Sequence, residues 1–350
     1  MLPQPRAAVL LLMGIAASAA AQSLPSLVEA LVSSGASKFA DFIQSDPEVL
    51  QLYLSGQVGT VFAPSDAGYD LETLLGRDLS ATDRRAAAFQ SSRATTTLES
   101  SSRSIPGSIL ETNDDAPLLG GQGQRVVIDT RPANVTSPTK RWMQSSFMRR
   151  QSNGTTPSLL RISSGLGKIT NVIKGDIPYS GGLLHITDSY FTLPESLSST
   201  AQSTGQTAFA GLLSRSNTTS TLENTQSVTV FLPSNAAISA SNSSIPASQL
   251  VSDHVVAGNV AYLPDLKDGD ILKTQRGESL AISIRAGRYY VNGGLITQAN
   301  LILENGVAHV VNKVLTPTPA VPVTSAASSD STSLVGFFGI ACYMGLMLLA

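Results

Sequence analysis

The feature that most constrains the fold is an internal repeat. Thr60-Val61-Phe62-Ala63-Pro64-Ser65-Asp66-Ala67 returns as Thr229-Val230-Phe231-Leu232-Pro233-Ser234-Asn235-Ala236, 169 residues later. The β-branched and aromatic residues suit a short buried strand, proline ends it, and the serine with its Asp or Asn neighbour is expected to cap the following helix. A second pair, Gly182-Leu183-Leu184-His185-Ile186-Thr187-Asp188 and Gly306-Val307-Ala308-His309-Val310-Val311-Asn312, lies 124 residues apart. Its copies run on to Leu193-Pro194 and to Leu315-Thr316-Pro317. Two motifs, twice, in one order imply two copies of one domain, the first longer by 45 residues. A chain of 350 residues with 42% hydrophobic content is large enough to give each copy its own core.

Local patterning gives the fold class. Leu27, Val28, Leu31, Val32, Phe39, Phe42 and Ile43 recur at helical spacing ahead of the first repeated strand. Leu280, Ile282 and Ile284 alternate as in a half-buried strand, and Tyr289-Tyr290-Val291-Asn292-Gly293-Gly294-Leu295-Ile296 reads as a hairpin around an Asn-Gly turn. Each copy is expected to be α+β, with helices first and a β-rich closing half.

The two ends read as targeting signals. Arg6 precedes an uncharged run from Ala7 to Ala21 that closes on alanines, the pattern of a signal peptide over 1–21. Residues 318–333 form a Pro/Ser/Thr stalk, and 334–350 are an uncharged, mostly apolar tail. The small residues around Ser325, the short polar spacer and the tail fit a glycosylphosphatidylinositol (GPI) signal with attachment at Ser325, and hence anchoring to a membrane through lipid. If the tail stays in the mature chain, the alternative is a membrane-anchored vacuolar or endosomal protein acting in trafficking or autophagy. Charged residues are only 14% of the chain while Ser and Thr number 48 and 29, so hydroxyls carry the polarity, as in secreted, O-glycosylated proteins. Sequons at Asn134, Asn153, Asn217 and Asn242 predict N-glycosylation. The single cysteine, Cys342, lies in the tail, so both cores must hold without disulfides. A net charge of −2 argues against nucleic acid as a partner.

The repeated motifs, their order and the Leu-Pro or Leu-Thr-Pro close of each copy resemble the fasciclin domain, an adhesion module of extracellular surfaces. In the second copy Asp253-His254-Val255-Val256-Ala257-Gly258-Asn259-Val260 resembles the family's central Tyr-His segment, with Asp253 at the usual tyrosine. No such segment is recognisable in the first copy. The resemblance implies two tandem fasciclin-like domains of fungal type, at 24–195 and 198–317, each a β-rich wedge or sandwich with helices around one end. Its functional implication is a non-enzymatic cell-surface or matrix adhesion protein. The implied partners are a cell-surface receptor, a cell-wall or matrix glycan, or like domains on other cells. Family members in animal matrices place an adhesive Asp-Ile pair nine residues before the closing histidine; here this is Asp176-Ile177, whereas the second copy has Asn300-Leu301. The plainer reading puts Asp176 in a turn and Ile177 in the core.

Signals for chemistry are weak. The 45 extra residues of the first copy are placed in a basic, Ser-rich insertion around 80–157 that holds Trp142 and the dibasic pairs Lys140-Arg141 and Arg149-Arg150. Gly165-Leu166-Gly167-Lys168-Ile169-Thr170 fails as a phosphate loop, because Ile162 replaces its first glycine and Ile169 its magnesium-binding hydroxyl. Asp265, Asp268 and Asp270 lack calcium-loop spacing, and Asp268-Gly269-Asp270 suits a turn. His185 and His309 occupy equivalent positions in separate copies, which with His254 predicts buried, backbone-bonded structural imidazoles. Neither a catalytic set, a metal site nor a cofactor is expected.

Overall fold

A computed structural model of the chain describes residues 23–69, 81–103, 106–130, 160–241 and 245–316. Three helices open the first half: α1 (Leu27–Ser34), α2 (Ser37–Ser45) and α3 (Pro47–Leu54). Ser26 caps α1 in a reciprocal box with Glu29, and Gly35 ends it in the left-handed region at φ 86°. Asp46 accepts from Glu48 N and Val49 N at the start of α3, where Pro47 takes the first position. The helices bury Leu31, Phe39, Phe42, Ile43 and Tyr53 against Val61, Leu184 and Ile186 of the sheet beneath.

That sheet has seven strands: β1 (Thr60–Pro64), β2 (Ser91–Ser92), β3 (Ser108–Asp115), β4 (Gly123–Asp129), β5 (Arg161–Ser163), β6 (Ile169–Tyr179) and β7 (Gly182–Thr187), in the order β2-β1-β7-β6-β5-β4-β3. Helix α4 (Ala81–Phe89) leads into β2, and α5 (Leu98–Arg103) into β3. Strand β1 lies parallel to β7, and every other neighbouring pair is antiparallel. The sheet curls until its edges meet, where Ser92 Oγ donates to Glu111 O (2.6 Å) and Asn113 Nδ2 to Ser91 Oγ (2.8 Å).

The second half repeats the plan. Helices α6 (Leu197–Ser203), α7 (Thr207–Ser216) and α8 (Thr219–Glu223) precede β8 (Val228–Pro233), and α9 (Asn235–Ala240) and α10 (Ala247–Asp253) lead to β9 (Val255–Ala257). Strands β10 (Ile271–Lys273), β11 (Ser279–Arg285), β12 (Arg288–Val291), β13 (Gly294–Leu303) and β14 (Gly306–Val311) complete a sheet ordered β10-β11-β12-β13-β14-β8-β9. Read from β9, it matches the first sheet strand for strand, including the parallel β8–β14 pair. Asn292 (φ 44°) and Gly293 (φ 77°) make the expected two-residue turn of the β12–β13 hairpin. The architecture is α+β, built twice.

Two sequence expectations need correction. Of the stretch 80–157 read as an insertion, 81–103 and 106–129 form α4, β2, α5, β3 and β4, whose strands have counterparts in β9, β10 and β11. Strands β2 and β3 carry hydroxyl and amide residues such as Ser91, Ser92, Thr112 and Asn113 at buried or half-buried positions, which masks their strand pattern. The excess concentrates in the β4–β5 connection, residues 130–160, where the second sheet needs only Ala286 and Gly287. The other correction concerns Asp66 and Asn235. Ser234 does cap α9, but Asp66 accepts from Lys38 N (2.8 Å) and Asn235 from Ala208 N (3.0 Å), tying down the first turns of the earlier helices α2 and α7.

Both sheets belong to one compact unit. They meet through a buried cluster of Val127, Tyr262, Ile302 and Val307 and through parallel bridges Gly165–Ile302 and Glu195–Leu303. Gln124 Nε2 donates to Leu303 O (3.2 Å) across this seam, and the Arg125 guanidinium lies over the Tyr262 ring. Among the described residues no helix is long and apolar enough to cross a membrane.

Candidate functional site

His185 and His309 sit at the centre of the same device in each domain. His309 is wholly buried, its ring stacked on Phe231 at 5.7 Å, as His185 stacks on Phe62 at 5.2 Å. Nδ1 accepts the backbone N–H of Asn300 (3.3 Å), so Nε2 carries the proton and donates to Ala261 O (2.9 Å). In the first domain Nδ1 of His185 accepts from Asp176 N (3.3 Å) and Nε2 donates to Thr96 O (2.8 Å).

The loop that each imidazole grips is held from two further sides. Thr229 Oγ1 donates to Asn259 O (2.7 Å) and accepts from Ala261 N (2.8 Å), and Thr60 Oγ1 does the same with Ala94 O and Thr96 N at 2.7 and 2.8 Å. Asn300 Oδ1 accepts from Leu263 N (2.8 Å), matched by Asp176 Oδ1 and Leu98 N (3.0 Å). Asp176 and Asn300 lie at register shifts of β6 and β13 with φ of 54° and 59°. Asp and Asn are the side-chain-bearing residues that best tolerate this conformation, and a bulge aims the residue toward the loop.

The Asp-Ile pair is therefore divided. Asp176 is exposed with one carboxylate oxygen committed to Leu98 N, while Ile177 is half-buried and packs on the helix-side core.

His254 uses the opposite tautomer. Its Nδ1 donates to Leu250 O (2.8 Å) and Nε2 accepts from Leu315 N (2.9 Å). The corresponding position of the first domain is Gln90: Phe62 N donates to Gln90 O as Phe231 N does to His254 O. Gln90 Oε1 accepts from Phe191 N (2.9 Å), the counterpart of Leu315 N. The central segment that the sequence conceals in the first copy is thus Ala81–Phe89 with Gln90, a glutamine oxygen standing in for an imidazole nitrogen.

Burial sets the protonation of these rings. Desolvation lowers the pKa of His254 and of His309 to about 4 and that of His185 below its ordinary value, against the raising effect of their carbonyl partners. A proton on Nδ1 of His309 would face the N–H of Asn300, so charging it also breaks a bond. Neutral, doubly bonded imidazoles serve as cross-braces and lack a free nitrogen for proton transfer.

The other candidate positions are scattered. Asn217 is exposed at the left-handed C-cap of α7, φ 54°. Asn134, Asn153, Asn242, Ser325 and Trp142, with both dibasic pairs, lie outside the described residues. Gly165 to Lys168 form a tight turn between the antiparallel β5 and β6, unlike a phosphate loop opening a helix. Asp268 and Asp270 accept from Ile284 N and Lys267 N as turn residues, with Gly269 at φ 88°. Among the described residues no group of three His, Cys, Asp or Glu is placed to hold a metal ion.

Comparison with known proteins finds sequence similarity to fasciclin-domain proteins. The fasciclin domain family model matches residues 204–317. A fasciclin-like arabinogalactan protein of Arthroderma benhamiae is 36% identical over 160 residues, covering 44% of this chain and 38% of that protein. The fasciclin-like arabinogalactan protein CTB11 of Cercospora beticola is 34% identical over 182 residues, covering 50% and 48%. The chain thus spans about half or less of the length of these relatives. Among solved structures, the FAS1 domain pair of the insect cell adhesion molecule fasciclin I aligns over 81% of this chain and 98% of that one, with 17% identity and a TM-score of 0.38. The first half repeats the strand order and the histidine-braced loop of the matched region, so the chain is similar to fasciclin-like proteins over two domains of one plan.

Proposed function

We propose that this chain is a non-enzymatic adhesion protein of the cell surface or extracellular matrix, N-glycosylated and held to the membrane by a GPI anchor. The observation that carries the reading is the fasciclin domain at 204–317 with its structural twin beside it, in which all three histidines are spent on backbone bonds. The fungal relatives are named as arabinogalactan proteins, which supports an outward-facing, sugar-decorated location. The partner is a cell-surface receptor, a wall or matrix glycan, or a like domain on another cell, with Asp176 the contact for a receptor.

The test is treatment of intact cells with phosphatidylinositol-specific phospholipase C, followed by adhesion of the released protein to cells and wall fragments. Release and adhesion are the expected results. Retention with the 334–350 tail detectable by mass would overturn the anchor and favour the vacuolar or endosomal reading. Release without adhesion to any surface would overturn the adhesive role.

A further inference from the structure

We propose that the cleft at the seam of the two domains binds a neutral sugar unit of a glycan, using acceptors and donors supplied by both domains. It deepens the adhesive reading, on which it rests for its biological setting, by assigning a ligand class to a defined place. The cleft encloses about 610 Å³, within the range of about 300–1,000 Å³ typical of small-molecule sites. One wall is α4 with the end of β3 and the turn after it; the other is Glu304, from the β13–β14 hairpin of the second domain.

The polar groups of the first wall are fixed before any ligand arrives. Asp114 is 1% exposed and takes the Arg85 guanidinium in a two-pronged grip, Nε to Oδ1 at 3.1 Å and Nη2 to Oδ2 at 3.0 Å. Arg84 is held by Asp46 through Nε at 2.9 Å and by Glu48 through Nη1. Nη1 of Arg85 and Nη2 of Arg84 carry no partner among the described residues. Asn113 gives its Nδ2 to Ser91, which leaves Oδ1 as an acceptor. Opposite them the Glu304 carboxylate is half-buried and has no hydrogen-bond partner among the described residues; burial first of all holds its pKa up.

This composition selects a ligand class. An anion would meet Glu304 and Asp115, and a cation would meet two guanidiniums. A hydroxyl donates and accepts at once, so neighbouring hydroxyls of a sugar can bridge the arginine donors and the Asn113 and Asp115 oxygens of one wall to the Glu304 carboxylate of the other. Ala88, Pro117 and Leu118 offer an apolar strip for the C–H face of the ring. Such a unit can come from a wall polysaccharide or from the glycan of a glycoprotein.

The experiment titrates the full mature chain with three neutral hexasaccharides, a β-1,3-glucan, a mannan and a galactan fragment, by calorimetry and saturation-transfer NMR. Saturable binding of at least one is expected, weakened at least tenfold in both Glu304→Ala and Asp115→Ala and unchanged in Arg215→Ala on α7. Asp115 is exposed, so its variant keeps the test open if Glu304→Ala fails to fold. Preference for glucan points to a wall polymer, and for mannan or galactan to a glycoprotein. Absence of binding by all three, binding indifferent to both variants, or binding only of hexagalacturonate or hexalysine would overturn the proposal. Adhesion of cells to the protein scores the parent reading separately, since it can persist when the cleft binds no sugar.

Discussion

Replacing His254 by alanine and by glutamine tests the equivalence of His254 and Gln90 quantitatively. His254 is fully buried, and its Nε2 is the acceptor for Leu315 N at 2.9 Å. Alanine leaves that buried N–H without a partner, at a cost of about 1–3 kcal/mol. The void left by the ring adds about 1–2 kcal/mol. His254→Ala is therefore expected to lose about 2–5 kcal/mol, whereas His254→Gln loses less than about 1.5 kcal/mol, because a glutamine oxygen already performs this task at 2.9 Å from Phe191 N. Urea unfolding followed by circular dichroism gives the free energies, and hydrogen exchange at the Leu315 amide reports the bond itself. If glutamine destabilises as much as alanine, or if the Leu315 amide exchanges freely in His254→Gln, the equivalence is refuted.

The same variants predict a pH dependence. A histidine whose folded pKa of about 4 lies below its unfolded value of about 6.5 contributes its full stability above pH 6.5 and loses it as pH falls, completely once below about 4. The shift corresponds to at most about 3 kcal/mol for His254 and a similar amount for His309. The raised carboxylates Asp114, Asp265 and Glu304 act in the opposite sense, so the informative quantity is the difference between wild type and His254→Gln. That difference is expected to fall by up to about 3 kcal/mol from pH 7 to pH 4, leaving His254→Gln the more stable of the two at pH 4; a constant difference would mean that His254 titrates normally.

Asp176→Asn should leave the melting temperature within about 2 °C, because Asn300 fills the same role in the second domain, yet abolish any receptor adhesion that needs the carboxylate. Asp176→Ala should cost about 1–2 kcal/mol through the orphaned Leu98 N–H and the positive φ, measured by urea unfolding. Gly306→Ala should prevent folding of the second domain, since the added Cβ would lie 1.9 Å from Val228 O; soluble expression and circular dichroism check it. Gln124→Ala should cost about 1–3 kcal/mol and raise amide exchange along the seam, where it removes the bond to Leu303 O.

What the sequence made legible follows from how each feature is written in it. The strands of the repeated motifs were readable because Val61, Phe62, Val230 and Phe231 are buried apolar residues in fixed order, and the glycines opening the second motif stand out because backbone carbonyls press on them. Gln90 was illegible since the only visible mark of that segment is a histidine, and the physical requirement is merely an acceptor at that place. Asp176 and Asn300 read in the sequence as a carboxylate in one copy and an amide in the other. In the fold they supply the same oxygen to the same loop, which only three-dimensional correspondence reveals. The cleft has no sequence mark at all, since Arg85 and Glu304 are brought together from different domains.

The two domains thus keep a geometry rather than a set of residues. Wherever a brace needs a particular shape, the residue is retained: His185 and His309 must receive an N–H on one side and reach a carbonyl on the other, which a planar ring with two opposed nitrogens does without rotamer freedom. Wherever it needs only one acceptor oxygen or nitrogen, the residue drifts, as from His254 to Gln90. The carboxylate of Asp176 goes beyond the amide oxygen that suffices at Asn300, and it is exposed where Asn300 is buried. An excess charge presented outward at a position whose structural task an amide fulfils is the kind of difference that recognition can use. On this ground the Asp176→Asn variant separates adhesion from folding more cleanly than any substitution of the histidines.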